Sequence, residues 1–471
     1  MQKTSKHHVV ILGGGLAGLS SAEDLLRHAG DQVTVTVIDA GEQPGGVIRT
    51  KSHDGWVIEG SADSFLAARP EGIELVKRLG LEDDIISVAK PVRRALILHK
   101  GQLIPIPAGF RLLAPGHIQS ILCTPILSFA GKLRVLCEPW MSKSKADDES
   151  LQHFATRRLG REAFEKLVQP LVAGIWTADP ARLSMAAACP DFLAMEQEYG
   201  SLFIGERARL KQSQHGQAAS GARYGQFVSL AKGMETLPLR LAEYVQASGG
   251  DLLQEKITSL QSIRNKWQVV LNHRRPIEAD SVIMALPAPK AAEVLRSANP
   301  EVASCLEKIE YAGSAVVSLG YEKECIAHPL NAAGLVIPRS EGRSILAISF
   351  LSSKFSGRAP AGHALIRVFV GGALDPEAST LDDGMLLERV QREAAAILGI
   401  QGTPKLSQID RWHASMPQYH VGHVSRVKSL FSKVQAIPGF ALAGAAYSGV
   451  GIPQVIASGQ QAARDVLKAK N

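Results

Sequence analysis

The chain has 471 residues, 45% hydrophobic and 21% charged, so it can bury sizeable cores in roughly three domains and is not a disordered or low-complexity protein. Its five cysteines (Cys123, Cys137, Cys189, Cys305, Cys325) are scattered, odd in number and form no CxxC, which argues against a disulfide framework or a zinc site and suits a reducing compartment. The formal charge of +7 is uneven: residues 85–146 hold nine Lys or Arg against one acid, Glu138, and the remainder is close to neutral.

In chain order, MQKTSKHHVVILGGG has too short an apolar run for a signal peptide, so a cytoplasmic location is expected. Val9 to Leu12 reads as a buried strand, GGGLAGLSSAEDLLRHAG as a tight turn and helix, and QVTVTVID as a second strand: half of a Rossmann-type domain. Gly13, Gly14, Gly15, Leu16, Ala17 and Gly18 fit GxGxxG. In that pattern Gly13 makes the turn, Gly15 lets backbone approach a pyrophosphate, and Gly18 permits close helix packing. Asp39, followed by Ala40, ends the second strand 21 residues after Gly18, where an acid accepts hydrogen bonds from ribose hydroxyls. The next segment, AGEQPGGVIRT, adds two glycines and a fixed positive charge (Gly45, Gly46, Arg49). It resembles the second dinucleotide motif of flavoproteins in the amine oxidase superfamily, which favours FAD over a nicotinamide.

The basic stretch is also apolar: LIPIPAGFRLLAPGHIQSILCTPILSFAGKLRVL. No Asp, Glu, Lys or Arg occurs from Leu112 to Gly131, but Pro115, Gly116 and Pro125 interrupt it, whereas a membrane span needs about 20 continuous helical apolar residues. Two readings stand: a surface resting on anionic lipid, or a buried helical subdomain with a solvated basic rim. Few aromatics accompany the basic residues, so nucleic acid is not the expected partner. Around Ser150, DDESLQHFATRRLGREAFEKLVQPL has acidic residues first and apolar ones at helical spacing, reading as one or two helices. Glu206 to Tyr224 is polar and glycine-containing, a mobile connection. From Asp251 the pattern is strand-like, with further strands at Ala315 to Tyr321, Ser344 to Phe350 and Ala364 to Val370, and a helix at Leu386 to Leu398.

Several stretches then narrow the superfamily: GSADSFLA, RALILHKGQLIPIP, RRLGREAFEKLVQPLVAGIWTADPARLSM, AKGMETLP, SSKFSGRAP, SMPQYHVGH and GAAYSGVGIPQVIASG. Together, in order and over nearly the whole chain, they resemble the FAD-dependent protoporphyrinogen and coproporphyrinogen oxidases of haem synthesis. The resemblance implies an α/β fold: a Rossmann-type FAD-binding domain (1–88, 206–300 and 413–471), an inserted mainly helical membrane-binding domain (89–205) and an α+β substrate-binding domain (301–412). It implies oxidation of a porphyrinogen in three two-electron rounds, O2 as acceptor, H2O2 as product, and peripheral attachment to the inner face of the cytoplasmic membrane. That tips the basic stretch toward lipid, and ferrochelatase or another haem-pathway enzyme is a candidate partner.

Carried onto this chain, the resemblance makes Gly60, Ser61, Ala62, Asp63, Ile257, Ala445, Gly451, Ile452 and Pro453 further FAD-contacting residues. Arg94 corresponds to the arginine for a substrate carboxylate, with Arg93 a neighbouring competitor, and Gly174 to a glycine where backbone approaches substrate. Leu335 and Phe355 correspond to the apolar residues sandwiching the ring, Leu335 depending on alignment register. Trp176-Thr177-Ala178 departs from a tyrosine-alanine-glycine run common in relatives and would reshape the slot beside Gly174. Arg94 before an apolar strand leans toward the protoporphyrinogen enzymes, whereas further cations around the slot would favour coproporphyrinogen III. No catalytic side chain beyond the flavin and no metal is expected; His420 and His423 lack a neighbouring third ligand and read as structural. The C-terminal turn would feed a helix start facing the flavin ring, whose dipole stabilises negative charge. Other readings are a flavin amine oxidase or carotenoid desaturase, or a catalytically silent flavin-binding protein. Amine oxidases frame the flavin with two aromatics, and here only Tyr447 lies in the C-terminal turn.

Overall fold

Burial along the first strand explains the central sheet. Val9 and Ile11 pack into one core and Val10 and Leu12 into another, the two-sided burial that a parallel strand between two layers needs. The computed structural model describes residues 6–212, 227–264 and 266–468. In it five strands run parallel in the order Asp251–Gln254, Val33–Asp39, His7–Leu12, Ser281–Met284 and Phe440–Leu442. Helices Leu16–Ala29, Thr236–Ala247 and Ile452–Lys468 cover one face. The other carries the antiparallel strands Ile257–Ile263, Lys266–Leu271 and Ile277–Ala279, with helices Ala288–Leu295, Pro300–Glu307 and His423–Gln435.

A second, seven-stranded sheet runs in the order Leu406–Pro417, Tyr311–Glu322, His363–Gly371, Ile345–Ser349, Gly334–Val336, Ala95–His99 and Gln102–Pro105. It is antiparallel except where Gly334–Val336 meets Ala95–His99. Helix Asp383–Leu398 packs on one face, and the mainly helical region between residues 106 and 202 packs on the other.

Three features depart from the sequence reading. The apolar run ALILH and its partner Gln102–Pro105, assigned to the helical insertion, extend this sheet instead. The boundary at 412 falls inside strand Leu406–Pro417, which pairs along nearly the full length of Tyr311–Glu322. Residues 206–212, read as a mobile connection, belong to helix Leu202–Gln212, and residues 213–224 lie outside the described residues. Its polar composition is satisfied by partners: Glu206 pairs with Arg111 at 2.8 Å and Arg209 at 2.6 Å. Its first turn is capped by Glu138, which accepts the Leu202 N–H at 2.9 Å and the Phe203 N–H at 3.2 Å.

Candidate active site

The first turn separates glycines needed for packing from one that leaves space. A Cβ on Gly13 would lie 2.7 Å from the Ala285 carbonyl oxygen, and one on Gly18 only 1.9 Å from that of Gly13. On Gly15 it would meet nothing nearer than Gly46 Cα at 4.0 Å. The residues therefore fit a dinucleotide: Gly15 opens toward Gly46, beside the N–H groups that begin helix Leu16–Ala29. Asp39 accepts the Gly14 N–H at 2.5 Å and the Gly41 N–H at 2.7 Å, so it pins the turn. Half-buried beside exposed Ala40, it keeps lone pairs for a ribose.

The second segment is tied to the first, with the Gly45 N–H donating to the Gly14 carbonyl at 2.8 Å. Arg49 is less a free positive charge than a staple. It donates to the Pro44 and Gln43 carbonyls at 2.7 and 2.8 Å and pairs with Glu235 at 3.3 Å. Ile257 arrives because Gln254 pairs with Asp39 and the Glu255 N–H donates to the Asp39 carbonyl at 2.8 Å. These residues gather at the C-terminal edge of the parallel sheet, the usual ligand-binding edge of such folds.

The C-terminal helix joins the same edge, and Leu16, Ile452 and Ile456 share one core. Tyr419 braces the preceding turn, its hydroxyl donating to the Ala445 carbonyl at 2.5 Å and accepting the Gly449 N–H at 2.9 Å. Gly451 and Pro453 open the first turn, where the Val455 N–H reaches the Gly451 carbonyl at 3.0 Å. His423 stacks on Tyr419 at 4.0 Å and bonds the Tyr447 carbonyl through Nε2 at 2.9 Å; burial pushes its pKa down to about 4. His420 instead faces Arg182 and Glu310. Among the described residues no group of three or more His, Cys, Asp or Glu is placed to hold a metal.

Beyond Gly60, the segment from Ser61 through Ala62 and Asp63 to Ser64 forms one wall of a cavity of about 390 Å³. Gly60 is fixed by its N–H to the Arg49 carbonyl at 2.8 Å and by Trp412 Nε1 to its own carbonyl at 2.7 Å. Opposite stands helix Gln169–Trp176, reached through the π turn Phe164–Val168, and the second sheet makes a further wall. A Cβ on Gly174 would meet only Val336 Cγ1, at 3.8 Å, so this helix position leaves room in the cavity. The lining is apolar apart from a few serines and three charged residues: Asp63, Lys354 and Arg367. Lys354 Nζ lies 2.8 Å and Arg367 Nη1 3.2 Å from Asp63 Oδ2. Burial raises the Asp63 carboxyl, but the two cations outweigh it and hold it well below the usual carboxylate range.

The remaining substrate-side residues stand differently toward this cavity. Leu335 borders the cavity, but strand alternation sends its side chain to the far core with Leu96 and Ile348, while Val336 packs on the cavity side. A register one residue off would exchange the two faces. Phe355 is absent from the lining: it is fully buried with Trp56, Ile58 and Leu351. Arg94 also lies outside the lining, its Nε donating to the Asn331 carbonyl at 2.9 Å beside the cavity residue Ala333. Trp176, Thr177 and Ala178 do not enter the cavity; Trp176 is buried on Tyr419 and Thr177 ends the helix at φ +46°. Missing from the sequence reading were Lys354 and Arg367. For Arg367 the signal was a single charge in the apolar run LIRVFV, whereas Lys354 stood among serines in SSKF and carried none.

The family described as flavin containing amine oxidoreductase matches residues 16–467. A Bacillus subtilis protein named coproporphyrinogen III oxidase is 33% identical, with 98% of each chain covered. A Bos taurus protein named protoporphyrinogen oxidase is 31% identical over 98% of each chain. A crystal structure from Exiguobacterium sp. 255-15, provisionally described as a protoporphyrinogen oxidase, superposes with a TM-score of 0.86 at 30% identity, covering 98% of this chain and 99% of that one. A reduced UDP-galactopyranose mutase, 14% identical with a TM-score of 0.73, shares the fold alone. The chain belongs to the flavin-containing amine oxidoreductases, and within them to the family of coproporphyrinogen III and protoporphyrinogen oxidases. It is an FAD-dependent oxidoreductase.

Proposed function

We propose that this chain oxidises a porphyrinogen to the porphyrin in three two-electron rounds, with O2 as final acceptor and H2O2 as product. The observation that carries the reading is one continuous wall: the segment from Gly60 to Ser64 leaves the dinucleotide edge and lines the apolar cavity. A ring held there would share that wall with the dinucleotide edge, and FAD, when bound, would supply the hydride acceptor. The chain's own work is to hold the ring flat between the sheet and helix Gln169–Trp176 and to exclude water with apolar side chains. Arg94 at the margin is the rim cation for a carboxylate. The test is side-by-side turnover of coproporphyrinogen III and protoporphyrinogen IX, read by porphyrin fluorescence. Oxidation of at least one is expected; oxidation of neither by flavin-loaded protein contradicts the reading.

Peripheral membrane attachment belongs to the same proposal. Phe129 is 77% and Trp140 78% exposed, with Ile118, Leu122 and Leu133 also exposed in this one segment. Glu138, its one acid, is fully buried on Arg158 and Ser201, whereas Lys143 and Lys145 are exposed. Apolar side chains among cations suit an anionic bilayer surface. Among the described residues no helix is long and apolar enough to cross a membrane.

A further inference from the structure

We infer that Lys354, backed by Arg367 and Asp63, is a second carboxylate-binding point of the cavity and selects coproporphyrinogen III over protoporphyrinogen IX. The inference rests on the porphyrinogen reading above. Lys354 is 7% exposed and Arg367 1%, both on an apolar wall where an unpaired charge is costly. One carboxylate, Asp63, serves both cations, so the cluster keeps a net positive charge.

The donors are unequally used. Arg367 is turned back on the protein, donating through Nη2 to the Ser61 carbonyl and pairing with Asp63 through Nη1. An ammonium has three N–H donors. Among the described residues the side chain of Lys354 makes one hydrogen bond, to Asp63, which leaves two donors for a ligand in the cavity. Asp63 is the positioning residue: it holds the ammonium at the wall and offsets its desolvation before any ligand arrives.

Sheet register separates this point from the strand that follows Arg94. Arg367 pairs with Ser349, Ser349 with Gly334, and Gly334 with Ala95, the residue after Arg94. Three strand spacings of ~4.8 Å put the Arg367 and Ala95 backbones roughly 14 Å apart. A tetrapyrrole with its side chains spans a comparable width, so a ring with one carboxylate at Lys354 reaches toward that end of the sheet. Coproporphyrinogen III carries four propionates, whereas protoporphyrinogen IX has vinyl groups in place of two. A vinyl beside Lys354 leaves the two remaining ammonium donors without an acceptor, which discriminates against protoporphyrinogen.

The test compares wild-type holoenzyme with Lys354→Met and Lys354→Arg on both substrates. Lys354→Met should raise KM for coproporphyrinogen III by roughly ten- to a hundredfold with a smaller change in kcat, leave or lower KM for protoporphyrinogen IX, and be rescued by Lys354→Arg. Equal effects on both substrates, or none, overturn the inference. Wild-type enzyme that oxidises neither overturns the porphyrinogen reading itself. Product inhibition of unaltered enzyme decides the point without a variant. Coproporphyrin III should inhibit more tightly than protoporphyrin IX, and equal or reversed inhibition contradicts the inference.

Discussion

Gly459 and Ala17 are in contact: a Cβ on Gly459 would lie 2.2 Å from the Ala17 carbonyl oxygen. Ser21 closes the same junction, its hydroxyl donating to the Gly459 carbonyl at 2.9 Å. The last helix is thereby set against the first, and the two ends of the chain form one cofactor edge. Gly459→Ala must push the helices apart, at a cost of about 1–3 kcal/mol. The expected result is a lower Tm together with weaker flavin retention, read by calorimetry and by flavin content after dialysis. An unchanged Tm contradicts the contact.

Gly174 calls for the opposite outcome. Its helix position has ordinary backbone angles and an open Cβ direction. Gly174→Ala should therefore stabilise the protein by up to about 1 kcal/mol through helix propensity while lowering kcat/KM. Gly174→Leu should abolish turnover with flavin still bound. A destabilised but active Gly174→Ala variant would count against this placement.

His423 is neutral when folded, its pKa lowered by burial from 6.5 to about 4. A histidine protonated more readily in the unfolded chain contributes stability fully above pH 6.5 and loses it as pH falls toward 4. The loss is on the order of 3 kcal/mol at the acid end. His423→Gln should flatten the stability profile across that window, as measured by denaturant midpoints from pH 7 to 4. An identical slope in both proteins would refute the assignment.

Arg94→Ala should raise the porphyrinogen KM more than it lowers kcat, because a carboxylate held alike in ground and transition states is uniform binding. Arg94 bonds the Asn331 carbonyl through Nε, which leaves its Nη donors for the substrate. An unchanged KM removes it from the site.

Anionic liposomes should co-sediment the protein at low salt and release it as salt rises. Phe129→Glu with Trp140→Glu should abolish binding without moving Tm, since both side chains are largely exposed. Undiminished binding by this variant excludes the surface as the membrane contact.

Local patterns were readable where one residue type serves one purpose. Gly13 and Gly18 answer to backbone contacts only glycine allows, and Asp39 to the strand end it occupies. The unbroken apolar run from Val9 to Leu12 also read as the buried strand it is. What stayed illegible depended on distant partners. The face that Leu335 takes depends on pairing register with Ile348 and Leu96, which one strand alone does not set. Arg49 read as a fixed positive charge, and only Glu235, far along the chain, shows that part of that charge is already paired. Lys354 and Arg367 gain meaning only from Asp63, about three hundred residues earlier in the chain.

The most direct measurement mixes flavin-loaded protein anaerobically with coproporphyrinogen III and follows flavin absorbance and porphyrin fluorescence together. The account predicts that the flavin bleaches as ring oxidation begins, and that colour returns on admitting O2 with porphyrin and H2O2 formed in a 1:3 ratio. Flavin that stays oxidised, with no porphyrin fluorescence from either porphyrinogen, would contradict it.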